Sequence, residues 1–358
     1  MKKTLVLALM GLVTLALTGC GVVRSITCIN KEKLALFNWG EYIDPEIIKG
    51  FEEEYDVCVN MSTFASNESA ITKMKTESFD LVVPSDYAIE QMVSEDLIQT
   101  IDWNQIEGFD QTTDLAPGLV SILDELDFEL LNYGVPYFWG NVGILYNKDV
   151  VSKSQLETLE WEVFKSNDYE IAFYDSARDG FMVALKNLGY SMNTSNQTEL
   201  NEAENWLMDL ARKNNVVFLT DEILDDMVSL TYDLALTYSG DAIYLMSEQE
   251  KLDFFVPSSG TNVWVDALVI PKNAKNVDLA YAFINYVLSY ESATLNTEYV
   301  MYSTPRKDVY EAMISEDSDF YAYKNAYEVQ IHANDEVFRY VPVTKAFVSD
   351  AWARIRAI

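Results

Sequence analysis

Rings and carboxylates gather where the predicted strands of this chain end. Trp39, Glu41 and Tyr42 follow the first strand, and Ser85, Asp86 and Tyr87 follow the third. Later strand ends carry Asp175, Ser176 and Asp179, then Tyr238 and Asp241, then Trp264 and Asp266. No lysine stands among these positions, and Arg178 is the one cation beside them. Such a set suits an extended organic cation. Its methylenes lie along rings, its ammonium groups face the π-systems, and its charged ends pair with carboxylates. Aromatic clefts with two acids also serve sugars, so a glycosidase using Asp179 and Asp266 as its acid–base pair is the alternative chemistry. Against that alternative, no nucleophile or leaving-group donor is arranged around the two acids.

Other reaction classes find little material. His332 is the only histidine, and Cys20, Cys28 and Cys58 show no CxxC spacing, so a zinc site of nitrogen and sulfur ligands is not expected. Neither GxSxG nor HExxH occurs, and any Ser-His-Asp or Cys-His nucleophile would depend on His332. No catalytic residue, metal or cofactor is therefore assigned, and His332 reads as a solvated or core residue. Charge points the same way. With 25 Lys plus Arg against 57 Asp plus Glu, the net of -32 repels nucleic-acid phosphates and anionic lipid and attracts cations.

The elements that position these residues alternate. Hydrophobic residues at 49% and charged ones at 23% describe a folded chain, and 358 residues suffice for two domains. A strand over 34–37 precedes Asp44-Pro45, an N-cap and first-turn proline, and Ile47, Ile48, Phe51 and Tyr55 then share one helical face. A strand over 57–62, a helix over 68–76 and a strand over 80–83 complete a βαβαβ run, which implies a mainly parallel sheet covered by helices. The pattern restarts with strands over 171–174, 234–238 and 264–270 and helices over 181–188, from 242 and over 278–288. Two α/β lobes joined by crossing strands fit this order, and in open α/β sheets ligands sit at the carboxyl ends of the strands. A tryptophan is by default a core residue, and Asp179 and Asp241 could merely cap helices. The strand-end positions argue for a pocket instead.

The first segment is an address. Lys2 and Lys3 precede an apolar run over 5–17 that is too short to span a bilayer, and Thr18, Gly19 and Cys20 follow. Leu17-Thr18-Gly19-Cys20 resembles the bacterial lipobox, which implies removal of 1–19 as a signal peptide and lipid attachment to Cys20. Residues 20–32 are then a lipidated tether, and the membrane is met through the anchor only. Outside the membrane Cys28 and Cys58 either form a disulfide or remain buried thiols.

Phe37-Asn38-Trp39-Gly40-Glu41-Tyr42, Asp80-Leu81-Val82-Val83-Pro84-Ser85, Pro136-Tyr137-Phe138-Trp139-Gly140, Ala177-Arg178-Asp179, Leu188-Gly189-Tyr190, Trp264-Val265-Asp266 and Ile270-Pro271-Lys272-Asn273-Ala274-Lys275-Asn276 resemble, in this order, the spermidine/putrescine-binding proteins of bacterial ABC transporters. The resemblance implies a two-lobed periplasmic-binding-protein-like fold of type II, with the ligand in the interlobe cleft. Lobe 1 would comprise 33–141 and 265–303, and lobe 2 would comprise 142–264 and 304–358. It also implies a non-enzymatic monomer outside the cytoplasmic membrane that hands putrescine or spermidine to ABC permease subunits and their ATPase.

By position, Trp39, Tyr42, Ser85 and Tyr87 match the first lobe's side of the pocket, and Tyr238, Trp264 and Tyr302 match its stacking rings. Asp179 and Asp266 match acids that hold amines, and Glu41 belongs to the pocket or its rim. Ser176 stands where spermidine-type members carry aspartate, and Phe338 replaces a glutamine, whereas Asp241 matches an acid of the putrescine-type branch. A solute-binding protein for a sugar, an amino acid or ferric iron is a further alternative. An amino acid would need Arg178 to meet its carboxylate.

Overall fold

Asp44 starts the first helix by accepting the Glu46 N–H at 2.8 Å, and Asp56, at φ 55°, ends it. Between them Ile47, Ile48 and Phe51 are buried, the face that the spacing predicts. This helix, Pro45–Tyr55, connects strand β1 (Lys33–Trp39) to β2 (Cys58–Phe64). The helix Asn67–Met74 then leads to β3 (Leu81–Val82), and the sheet order β2-β1-β3 is parallel throughout. The computed structural model describes Cys28 and residues 30–126 and 128–358. The expected signal segment 1–19, Cys20 and most of the expected tether 20–32 lie outside the described residues. Cys28 is disulfide-bonded to Cys58, which settles the choice left open between a bridge and two thiols.

The remaining strands are β4 (Val135–Asn147), β5 (Ile171–Tyr174), β6 (Val216–Leu219), β7 (Leu234–Tyr238), β8 (Leu252–Phe255) and β9 (Val263–Leu268). Parallel β6-β5-β7 is extended by antiparallel β4 and β8, giving the order β6-β5-β7-β4-β8. All thirteen residues of β4 are buried because the strand serves both lobes. Its first half pairs with β9, from Val135 opposite Leu268 to Asn141 opposite Val263, and its second half pairs with β7 and β8. Strand β9 reaches the first sheet through bridges from Val269 to Val82 and from Asp266 to Ser85. A third crossing runs beside Trp139, whose N–H donates to the Ser303 carbonyl at 3.1 Å. Two α/β lobes joined by crossing strands, the architecture expected from the sequence, are thus what the chain forms.

Rings fill both cores. Phe37 and Phe51 are buried in the first lobe, and Trp161, Phe164, Phe173 and Phe181 in the second. Each contributes about 1.5–3 kcal/mol through removal from water. Among the described residues no helix is long and apolar enough to cross a membrane.

Candidate functional site

Strand β1 ends at Trp39, whose ring centre lies 4.5 Å from that of Phe64. The chain turns sharply at Glu41, with φ 49°, and carries Tyr42 back into the interior. Tyr42 is held by its own carbonyl, which accepts from the Tyr137 hydroxyl at 2.8 Å and from Asn38 Nδ2 at 3.3 Å. Its ring meets Phe138 at 5.4 Å and Tyr302 at 5.8 Å. Glu41 points elsewhere. It is exposed and accepts the Tyr299 hydroxyl at 3.1 Å, on the outer helix Tyr290–Val300.

Past β3, Ser85 and Tyr87 open the helix Asp86–Ser94. Asn67 organises both: its Nδ2 donates to Ser85 Oγ at 3.0 Å and to Tyr87 Oη at 2.9 Å, and its Oδ1 accepts the Ser85 N–H at 3.1 Å. Sequence reasoning did not single out Asn67, which lies on a helix rather than at a strand end.

In the second lobe, Ser176 caps the helix Ala177–Asn187 by accepting the Asp179 N–H at 3.4 Å. That helix starts four residues before its predicted position because the serine satisfies its first turn. Asp179 is buried and accepts the Tyr238 hydroxyl at 2.8 Å. The Tyr238 ring stands edge-on to Trp264 at 6.2 Å, and Trp264 is edge-on to Tyr302 at 5.0 Å. Two glycines leave room for these rings. A Cβ at Gly140 would lie 2.7 Å from Trp264 Cζ2, and one at Gly240 would lie 2.4 Å from Tyr302 Cδ1. The Tyr302 hydroxyl stands beside half-buried Asp241, at the start of the helix Ser239–Glu248.

Contacts join Tyr42, Tyr302, Trp264, Tyr238, Asp179 and Asp241 into one cluster, Glu41 lies apart from it, and the electrostatics of its acids are unusual. Burial pushes Asp266 and Asp241 up to about 6, with the Ser85 and Tyr42 hydroxyls opposing the shift at Asp266 and Tyr302 opposing it at Asp241. Burial also raises Asp179, against the pull of Ser176, Tyr238 and Arg178. Among the described residues, Asp266 Oδ1, Trp39 Nε1, Trp264 Nε1 and Tyr42 Oη are buried polar atoms without a hydrogen bond of ordinary geometry, although the Tyr42 and Ser85 hydroxyls stand near Asp266. Buried groups of this kind are costly unless something answers them. Asp86 was among the strand-end residues but not among those assigned to the ligand; it proves buried, with its Oδ2 accepting the Val265 N–H at 2.9 Å.

Arg178 takes a different place from the acids around it. Its guanidinium lies 3.5 Å from the Tyr87 ring centre and 5.3 Å from that of Phe338, and it pairs with Glu68 at 3.1 Å. Further contacts join the lobes beside it. Arg339 grips Glu90 through two hydrogen bonds of 3.0 and 2.9 Å, and Lys345 reaches Glu68 at 3.3 Å and Gln91 at 2.9 Å. Among the described residues, no group of three or more His, Cys, Asp or Glu side chains could hold a metal ion. Rings and buried acids thus meet here, a combination whose chemistry suits a slender cation.

Comparison with known proteins bears on this cleft. Residues 46–327 match the family described as bacterial extracellular solute-binding protein. A spermidine/putrescine-binding periplasmic protein of Escherichia coli (strain K12) is 32% identical over 278 residues, which are 76% of this chain and 77% of the relative. A solved spermidine/putrescine ABC transporter substrate-binding protein of Streptococcus pneumoniae has 33% identity and a TM-score of 0.73, covering 91% of this chain and 99% of its own. A lipoprotein of Treponema pallidum has 27% identity and a TM-score of 0.77, covering 91% of this chain and 100% of its own.

Proposed function

The chain belongs to the family of bacterial extracellular solute-binding proteins, and from that premise we propose that it captures a polyamine outside the cytoplasmic membrane and delivers it to an ABC importer. The observation that carries this reading is Asp266. Its carboxylate is buried beside Tyr42 and Ser85, and its Oδ1 has no hydrogen bond of ordinary geometry among the described residues, so an ammonium group there would supply a donor. Four methylenes of putrescine add roughly 0.8 kcal/mol each on burial along the rings. An ammonium facing a ring adds about 0.5–2 kcal/mol. Those terms favour any slender hydrocarbon cation, so the acids supply the selection.

Within this reading the ligand is bound and released unchanged. Asp179 accepts the Tyr238 hydroxyl, and the chain's membership of a solute-binding family argues against the glycosidase alternative. Putrescine is the better fit. Ser176 acts as a cap rather than as an acid, Phe338 is apolar and buried, and Asp241 adds a carboxylate beside Tyr302. The protein acts as a monomer, presenting its closed form to permease subunits served by an ATPase. Cys20 carries the lipid that keeps it at the membrane.

Mass spectrometry of the solute retained through purification, followed by calorimetry with putrescine, spermidine and a monoamine, tests the ligand. Retention of a sugar or amino acid and no heat with either polyamine would sink the reading. For the anchor, Cys20→Ala is expected to release the protein from membranes or block its processing. Unchanged membrane partition in that variant would rule the anchor out.

A further inference from the structure

Beyond β3 the backbone of 84–86 lies antiparallel to β9. The Ala267 N–H donates to the Pro84 carbonyl at 3.1 Å, and Ser85 forms a bridge with Asp266. The chain then turns away into the helix Asp86–Ser94, and the Asp86 side chain continues the contact in place of the backbone. Its Oδ2 accepts the Val265 N–H at 2.9 Å while its Oδ1 accepts the Tyr87 N–H at 2.6 Å. Val265 is fully buried, so an unmet amide there would carry the whole cost of lost solvation. Side chains alternate along a strand, so Trp264 and Asp266 lean to one face and Val265 to the other. The amide that Asp86 holds thus lies between two residues of the cleft. A shift there turns both.

Charge is the second consideration. Asp86 is 3% exposed and forms no ion pair among the described residues. The groups that act on it through space are Asp266 on β9, Arg178 on the helix Ala177–Asn187 and Tyr87 on its own helix. Burial pushes its carboxyl up to about 7, against the pull of the Val265 and Tyr87 amides, and the Asp266 charge adds to the rise. A carboxyl so placed holds a proton part of the time near neutrality and loses it to solvent when a cation arrives.

We infer that Asp86 is a positioning residue of the cation site: it fixes the strand segment presenting Trp264 and Asp266, and its carboxylate is a second negative charge that a bound diammonium draws out. This inference rests on the polyamine reading. It gives Asp86 two duties that substitution separates, because asparagine keeps one acceptor oxygen without the charge, whereas glutamate keeps the charge on a longer arm.

The test is calorimetry of the whole mature chain with putrescine at about pH 7, in two buffers of unlike ionisation enthalpy, which counts the protons released. The parent is expected to release protons on binding. Asp86→Asn is expected to bind about tenfold more weakly and to release fewer protons, whereas Asp86→Glu releases as many as the parent. A purely structural role would leave the proton count unchanged in every variant that still binds. Parental affinity and proton release in Asp86→Asn would overturn the inference while leaving the polyamine reading intact. Should that variant fail to fold by circular dichroism, the parent's pH profile decides: release peaking near pH 7 supports the inference, and release absent or peaking near pH 6, where Asp241 and Asp266 titrate, overturns it equally. No heat with putrescine or spermidine in the parent removes the polyamine reading itself, and this inference with it.

Discussion

Tyr238 donates its hydroxyl to Asp179 at 2.8 Å, whereas Asp266 keeps one buried oxygen, Oδ1, without a hydrogen bond of ordinary geometry among the described residues. The two acids that reach the cleft from opposite lobes are therefore unequal. Asp179 is already engaged, and Asp266 has an oxygen left open to what enters.

From that inequality, Asp266→Asn is expected to weaken putrescine or spermidine binding by roughly a hundredfold or more. Asp179→Asn should weaken it less, because Tyr238 remains to hold the amide. Trp264→Leu is expected to lower affinity with less loss of the diamine-over-monoamine preference. Calorimetry on the purified variants checks all three, and an Asp266→Asn variant binding as tightly as the parent would mean that the cleft serves another solute.

Acidity supplies the next expectation. Asp86 at about 7, and Asp241 and Asp266 at about 6, all sit above an ordinary aspartate. The native state thus holds more protons than the unfolded chain from about pH 4 to about pH 7. Stability of the ligand-free protein should fall as pH rises through that window, and stabilisation by putrescine should grow. Groups held below their usual range, such as Glu68 and Glu336, act at lower pH. Melting curves at about pH 5 and about pH 7.5, with and without putrescine, report both trends. A ligand-free midpoint that rises across the window contradicts this account.

The contacts between lobes predict kinetics. Glu90 receives Arg339 through two bonds and the Tyr340 N–H at 2.8 Å, all partly buried. A pair of this exposure contributes about 0.5–1 kcal/mol. Glu90→Gln should therefore speed ligand release two- to sixfold, on the order that such an energy allows, with little change in association. Stopped-flow displacement measures it, and an unchanged release rate would show that the clasp does not hold the closed form.

Covalent closure is testable by melting. Cys28 and Cys58 lie 30 positions apart and enclose β1 and its helix. Opening a loop of that length costs about 2–4 kcal/mol. Cys58→Ser, or reduction followed by alkylation, should lower the melting temperature by several degrees while leaving the cleft chemistry in place. Identical melting before and after reduction would show that the bridge adds nothing.

Much of the fold was legible because local signals agreed with tertiary ones. The strands Ile171–Tyr174 and Leu234–Tyr238 stand where the sequence places them, each an apolar run ended by tyrosine. Strand β4 gave no such signal, since a strand buried on both faces shows no alternation, and its Pro136, Gly140 and Asn141 read as breakers. The strand-end rule reaches Trp39 and Tyr238, which end β1 and β7, whereas Trp264 and Asp266 lie inside β9 and only the family resemblance points to Tyr302. Asn67 and the clasp residues Arg339 and Lys345 come from helices and the C-terminal segment, where only proximity in space reveals their part. Glu41 followed the rule yet faces outward, because its left-handed backbone swings the side chain toward Tyr299.

Strand β4 has a consequence for how the molecule can come apart. Its thirteen residues form one rung sequence shared by two sheets, with β9 on one half and β7 and β8 on the other. Cutting the gene between lobes would leave either fragment with half a strand whose amides and carbonyls face no neighbour. Neither fragment is a stand-alone module. Heat should accordingly melt the chain as a single cooperative unit, and shuffling lobes between relatives should succeed only where the exchange carries β4 whole.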